Sequence, residues 1–119
     1  MGMYNSFDEM PVWQKAATAM QEAYKLADKL PGHEKYAMAT QIRTAALSIP
    51  GNIAEAFGRQ HKKDKQNFYY YSRGSAHEVI SHLYCAVKVD YFEAPELKHT
   101  VQLCYEVIEA LNKIIRSLD

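Results

Sequence analysis

Apolar residues in this chain recur at helical rather than strand spacing. Trp13, Ala16, Met20, Ala23, Ala27 and Leu30 follow one another in alternating steps of three and four, the stripe of an amphipathic helix. Pro11 suits the first turn, where its missing N–H has no partner to lose, and Asp8 and Glu9 lie where negative charge meets the helix dipole. With Pro31-Gly32 as the stop, the pattern predicts a helix over about 11–30.

A second stripe, Tyr36, Met38, Ile42, Ala45, Ile49, Ile53 and Phe57, predicts a helix over about 34–59. Pro50 interrupts it, which leaves one kinked helix or two helices breaking at Ser48-Ile49-Pro50. The apolar spacing runs on across the proline and the Ser48 hydroxyl can bond locally, so the expectation is a kink.

Asp64 is the expected N-cap of a third helix over about 64–91, with Phe68, Ser72, Ser75, Val79, Leu83 and Ala86 as its seam. Gly74 in mid-helix costs about 1 kcal/mol relative to Ala, which suits a place where two backbones approach closely. Beyond the turn at Glu93-Ala94-Pro95-Glu96, the residues Leu97, Val101, Cys104, Ile108, Leu111, Ile115 and Leu118 keep a strict heptad over about 95–118. Four helices with short connections predict an all-α, antiparallel up-down-up-down four-helix bundle, a single domain over 1–119.

Composition adds limits. A chain of 119 residues can bury one core without disulfides. Fourteen basic residues balance fourteen acidic ones, which counts against a dedicated non-specific nucleic-acid binder, because phosphate neutralisation supplies most of such a protein's affinity. Cys85 and Cys104 both fall in apolar helical patterns and are expected as small buried hydrophobes. Met1 to Met10 has no apolar run of the signal-peptide kind, and no stretch approaches the roughly 20 apolar residues that span a bilayer. The expected location is the cytoplasm.

The run Ser48-Ile49-Pro50-Gly51-Asn52-Ile53-Ala54-Glu55-Ala56-Phe57-Gly58-Arg59, preceded by Gln41-Ile42-Arg43, is unusual for a helix. It resembles the signature of the four-helix-bundle family of 23S ribosomal RNA intervening-sequence proteins. Val12-Trp13-Gln14-Lys15-Ala16, then Pro31, Glu34 and Tyr36, then Arg73-Gly74-Ser75 with Glu78, extend the likeness over nearly the whole chain. The resemblance implies a bundle fold and a ring-shaped homopentamer. It also implies kinship with accessory proteins of diversity-generating retroelements, which partner a reverse transcriptase, contact nucleic acid and are typically basic; this chain is neutral.

Three surfaces are candidates for function. Arg59, Lys62, Lys63 and Lys65 against the single Asp64 give the hinge after the second helix a local charge of +3, to which His61 adds when protonated. Lysines suit phosphate contacts and Arg59 can fork onto one, so this hinge is the candidate RNA- or DNA-binding site. In Phe68-Tyr69-Tyr70-Tyr71, successive residues point about 100° apart. One core cannot bury them all, so Tyr69, Tyr70, Tyr71 and Tyr84 are the candidate contacts between copies. Arg43, Asn52, Glu55, Arg73 and Glu78 are the expected buried polar cluster that fixes register.

No phosphate loop, dinucleotide motif or Ser/Cys-His nucleophile pattern is present, and the five histidines lack metal-ligand spacing. The pair Glu78 and His82 reads as an ordinary helix salt bridge. No catalytic residue, cofactor or metal is expected. The expected function is a non-enzymatic binding and assembly module whose partners are further copies of itself, with a protein or nucleoprotein bound on its surface. The alternative is a nucleic-acid-binding accessory protein that repeats the basic hinge around a ring.

Overall fold

Pro11 opens the first helix as its spacing predicts, and the described residues form four α-helices: α1 (Pro11–Asp28), α2 (Met38–Gly58), α3 (Lys62–Lys88) and α4 (Lys98–Ser117). The computed structural model describes residues 2–119, so Met1, the first residue of the expected domain, lies outside them. The bundle is an elongated body of about 48 × 24 × 21 Å. Contacts between neighbouring helices run in opposite chain directions. Ser48 meets Ser75 while Ala56 and Phe57 meet Lys65; Arg73 meets Asn112 while Gln66 meets Ile115. A Lys15–Glu106 ion pair at 2.9 Å closes α1 onto α4.

The predicted seams supply most of the core: Ile42, Ile49 and Ile53 of α2, Val79 and Leu83 of α3, and Cys104 and Leu111 of α4 are fully buried. Trp13 and Met20 of the expected α1 stripe are only partly buried, and Val12, Ala19, Leu26 and Val107 join the core from outside the expected stripes. α2 runs through Pro50 as one helix, the outcome that its unbroken apolar spacing predicts. The Ser48 hydroxyl bonds locally there, donating to the Ala45 carbonyl at 2.9 Å.

α2 and α3 share the most extensive seam, and small side chains make it. Ser72 is fully buried and donates to the Ile49 carbonyl at 2.7 Å. Ser48 and Ser75 share a hydrogen bond beside it, and Ala45, Ala46 and Ala76 fill the rest. The close approach expected at Gly74 therefore falls at Ser72 and Ser75 instead. Gly74 faces outward, and a Cβ there meets nothing within 4 Å.

Two helix starts differ from expectation. α2 begins at Met38, because Gly32–Glu34 forms a 3₁₀ turn and the Glu34 carboxylate accepts the Met38 N–H at 3.2 Å. Tyr36 then precedes the helix and is 86% exposed, not on the core face. α3 begins at Lys62 with His61 before it, so Asp64 is a first-turn charge near the helix dipole rather than the N-cap.

Helix ends at the other connection follow known chemistry. α3 stops where Asp90 adopts a left-handed φ of 65°, with the Asp90 N–H bonded to Val87 O and the Tyr91 N–H bonded to Ala86 O. α4 follows a 3₁₀ turn closed by a Glu93/Glu96 capping box. Among the described residues, no helix is long and apolar enough to cross a membrane.

Candidate functional site

The five residues expected as a buried polar cluster are not buried and do not form one cluster: Arg43, Asn52 and Glu55 border one open groove on α2, while Arg73 and Glu78 lie elsewhere on α3. Arg43 pairs with Asp28 across the α1–α2 connection and lies 6.0 Å from the Tyr24 ring centre. Asn52 donates to the Ser48 carbonyl at 2.9 Å. Glu55 pairs with Arg59 at 3.4 Å on the outside of α2. Arg73 donates to the Asn112 side chain at 2.8 Å and stacks on Tyr70. Glu78 is exposed and bonds to His82 at 3.3 Å, the ordinary helix pair expected of it. The cause is steric: a seam of serines and alanines has no volume for an arginine–carboxylate pair, so the long side chains leave toward solvent.

Structural roles consume part of the basic hinge. Lys65 Nζ donates to the carbonyls of Ala56 at 3.2 Å and Phe57 at 3.0 Å, satisfying two of the last acceptors of α2. Arg59 pairs with Glu55 and stacks on Phe68, 4.6 Å from its ring centre. His61, Lys62 and Lys63 remain exposed and make no ion pair among the described residues.

The tyrosine run divides as the helical turn requires. Tyr69 is 4% exposed and belongs to the core, so it drops out of the expected contact surface. Tyr71 points to the α2 side and packs edge-on against Phe68. Tyr70 and Tyr84 lie on the α4 side of α3 together with Arg73 and His77. Tyr105 joins them from α4, edge-on to His77. Partial burial and the neighbouring Tyr105 push the Tyr84 phenol above its usual pKa. Tyr84 and Tyr105 border an open apolar groove of about 690 Å³ that Pro95, Leu97 and Val101 help to line. Sequence reasoning missed Tyr105; its signal was a large aromatic one position off the α4 heptad.

The outer face of α2 is a second unfilled surface. Its 21 residues include only two charged ones, Arg43 and Glu55. Thr40, Thr44, Ser48 and Asn52 form one row at four-residue spacing, and Arg43, Leu47, Gly51 and Glu55 form the next. Between these rows lies an open groove of about 560 Å³, closed at its ends by Tyr24 and Phe68. Leu47 stands 54% exposed on the second row. A Cβ added at Gly51 meets nothing within 4 Å.

At the end of the bundle away from the hinge, Tyr91 donates to Glu34 Oε2 at 2.6 Å, and its oxygen lies 3.0 Å from His33 Nε2. The Tyr91 hydroxyl, then the Met38 N–H, holds the Glu34 carboxyl below the usual carboxylate range, while the carboxylate raises the Tyr91 phenol. The two cysteines part company. Cys104 is buried, which pushes its thiol up to about 12. Cys85 is exposed, against expectation, because it sits off the Leu83–Ala86 seam. Among the described residues, no three His, Cys, Asp or Glu side chains gather as a metal site would require.

A family model described as 23S rRNA-intervening sequence protein matches residues 8–113. A solved structure of a protein with unknown function, from the S23 ribosomal protein family of Bacteroides thetaiotaomicron VPI-5482, superposes with a TM-score of 0.80 at 24% identity. The match covers 87% of this chain and 97% of that one, and it speaks to the fold. No curated protein matches the chain.

Proposed function

The chain belongs to the 23S rRNA-intervening sequence protein family, and from that membership we propose a non-enzymatic binding module that assembles with copies of itself. One observation carries the reading: Tyr70, Tyr84 and Tyr105 stand 41%, 50% and 48% exposed along the α3–α4 side, and Tyr84 and Tyr105 border an apolar groove. Aromatic rings bury large areas at small entropic cost, so tyrosines set around a groove suit a protein contact. The ring of five that the resemblance implies is one assembly such a surface can build.

Light scattering tests this. The expected mass is a multiple of the 13.6 kDa chain, five-fold for a single ring. Tyr84→Ser/Tyr105→Ser should lower that mass while leaving the helical signal intact. A monomer at micromolar concentration overturns the reading.

A second reading rests on His61, Lys62 and Lys63, which are exposed and free of ion pairs among the described residues. Repeated around an assembly, Lys62 and Lys63 of each chain, with His61 beside them, gain avidity for RNA or DNA without any new contact. Such binding falls steeply with added salt. Binding that does not change between low and moderate salt removes this reading.

A further inference from the structure

We infer that copies of this chain join head to tail, the tyrosines on the α3–α4 side of one seating in the apolar trough between α1 and α2 of the next. The inference rests on the self-assembly reading and names the surface that its tyrosines meet.

Neighbouring helices follow chain order, with α4 closing onto α1, so the α1–α2 side and the α3–α4 side face away from each other. Trp13, Ala17 and Met20 of α1 and Leu47, Gly51 and Ala54 of α2 help to line an open trough of about 270 Å³ on the first of these sides. Solvated helix faces ordinarily carry charge, yet no charged residue lines this one. The Trp13 ring is only partly buried and Leu47 stands exposed. A mid-helix glycine costs about 1 kcal/mol relative to Ala, and a Cβ at Gly51 finds nothing of its own chain within 4 Å. Close approach of another chain accounts for that glycine.

The two sides are complementary in shape and in charge. Tyr84 and Tyr105 stand half exposed on one, and small residues, Ala17, Gly51 and Ala54, leave room for a flat ring on the other. Arg73, stacked on Tyr70, and Lys98, the one charged residue lining the tyrosine groove, make no ion pair among the described residues. On the α1–α2 side the Phe7–Glu9 turn packs against both helices, with Phe7 edge-on to Trp13. It leaves Asp8 and Glu9 exposed and also free of ion pairs among the described residues. Unlike sides therefore bring opposite charges together, whereas two tyrosine sides bring cations to cations. A contact between two different patches closes a ring at whatever number the rotation between copies sets, five included.

Variants that each lose one patch test the contact. Gly51→Arg fills the trough and replaces glycine with a good helix former, so it keeps the fold. Leu47→Asp, at an exposed position, is a second probe of the same side. Tyr84→Ser/Tyr105→Ser removes the opposite patch. Sedimentation and light scattering should find each variant alone a monomer at a concentration where the wild type is assembled, with thermal midpoints confirming the folds. Mixed in equal amounts, a trough variant and the tyrosine variant keep one intact contact, the tyrosines of the first in the trough of the second. The mixture should form a capped two-chain complex of twice 13.6 kDa and nothing larger.

A wild-type monomer overturns both this contact and the self-assembly reading. A wild-type assembly whose mass neither trough variant lowers overturns the trough contact alone. Variants that pair with themselves overturn it as well, because like sides then meet. So does a mixture that stays monomeric well above the concentration of wild-type assembly.

Discussion

The Tyr91 hydroxyl donates to the Glu34 carboxylate at 2.6 Å and thereby ties the α1–α2 connection to the α3–α4 connection. The depressed Glu34 pKa means that this tie stabilises the fold above the ordinary carboxyl value of about 4.3 and is lost as pH falls through the lower folded value. The raised Tyr91 pKa means that the phenol's share is complete below about 10 and is lost as pH rises through the higher folded value. Tyr91→Phe should therefore lower the thermal midpoint at neutral pH and flatten its acid-side fall. Equal acid slopes in both proteins would show that Glu34 gains nothing from Tyr91.

Cys85 and Cys104 should separate cleanly in alkylation at mildly alkaline pH. Cys85 is exposed and should react at the rate of a free thiol, whereas Cys104 is buried and its thiol is pushed up to about 12. Mass spectrometry should show one rapid addition to the native protein and a second only after unfolding. Two rapid additions would mean that α4 is not seated as described.

Lys65 and the pair Lys62 and Lys63 should respond differently to removal. Lys65→Ala deprives α2 of two carbonyl contacts and should cost about 1 kcal/mol, read as a lower midpoint. Lys62→Ala/Lys63→Ala should leave the midpoint unchanged within error, since both side chains are exposed. Any RNA or DNA binding should weaken in the second variant.

Two backbone positions leave stability to be gained. Gly74→Ala replaces a mid-helix glycine where a Cβ meets nothing, and should stabilise the chain by roughly 0.5–1 kcal/mol in denaturant titration. Asp90→Gly relieves a left-handed residue at the α3 terminus and should gain up to about 1 kcal/mol. A loss at either position would show that its side has another contact.

The bundle was legible because its seams obey a period. Ile42, Ile49 and Ile53 or Cys104, Ile108 and Leu111 fall on one face whatever surrounds them. The outer surface has no such rule. Four aromatics in a row guarantee that some face outward, yet only the α2–α3–α4 packing decides that Tyr69 is the buried one. Arg73 finds Asn112 and Arg43 finds Asp28 because particular helices are neighbours, which periodicity does not encode. Lys65 reads as one more hinge cation until the brevity of the α2–α3 connection brings its amine onto the carbonyls at the end of α2. Glu55 reads as a partner in a buried cluster because sequence shows charge and spacing but not the volume left between serines.

That serine-lined seam also sets an order of events in folding. α2 and α3 are joined by the three residues 59–61, so their association closes a small loop at little entropic cost, while α1 and α4 must be brought together across most of the chain. The α2–α3 hairpin is therefore the part expected to form early and to open last. Amide protons around Ile49–Ile53 and Ala76–Ile80 should be the slowest to exchange with heavy water, outlasting those of α1.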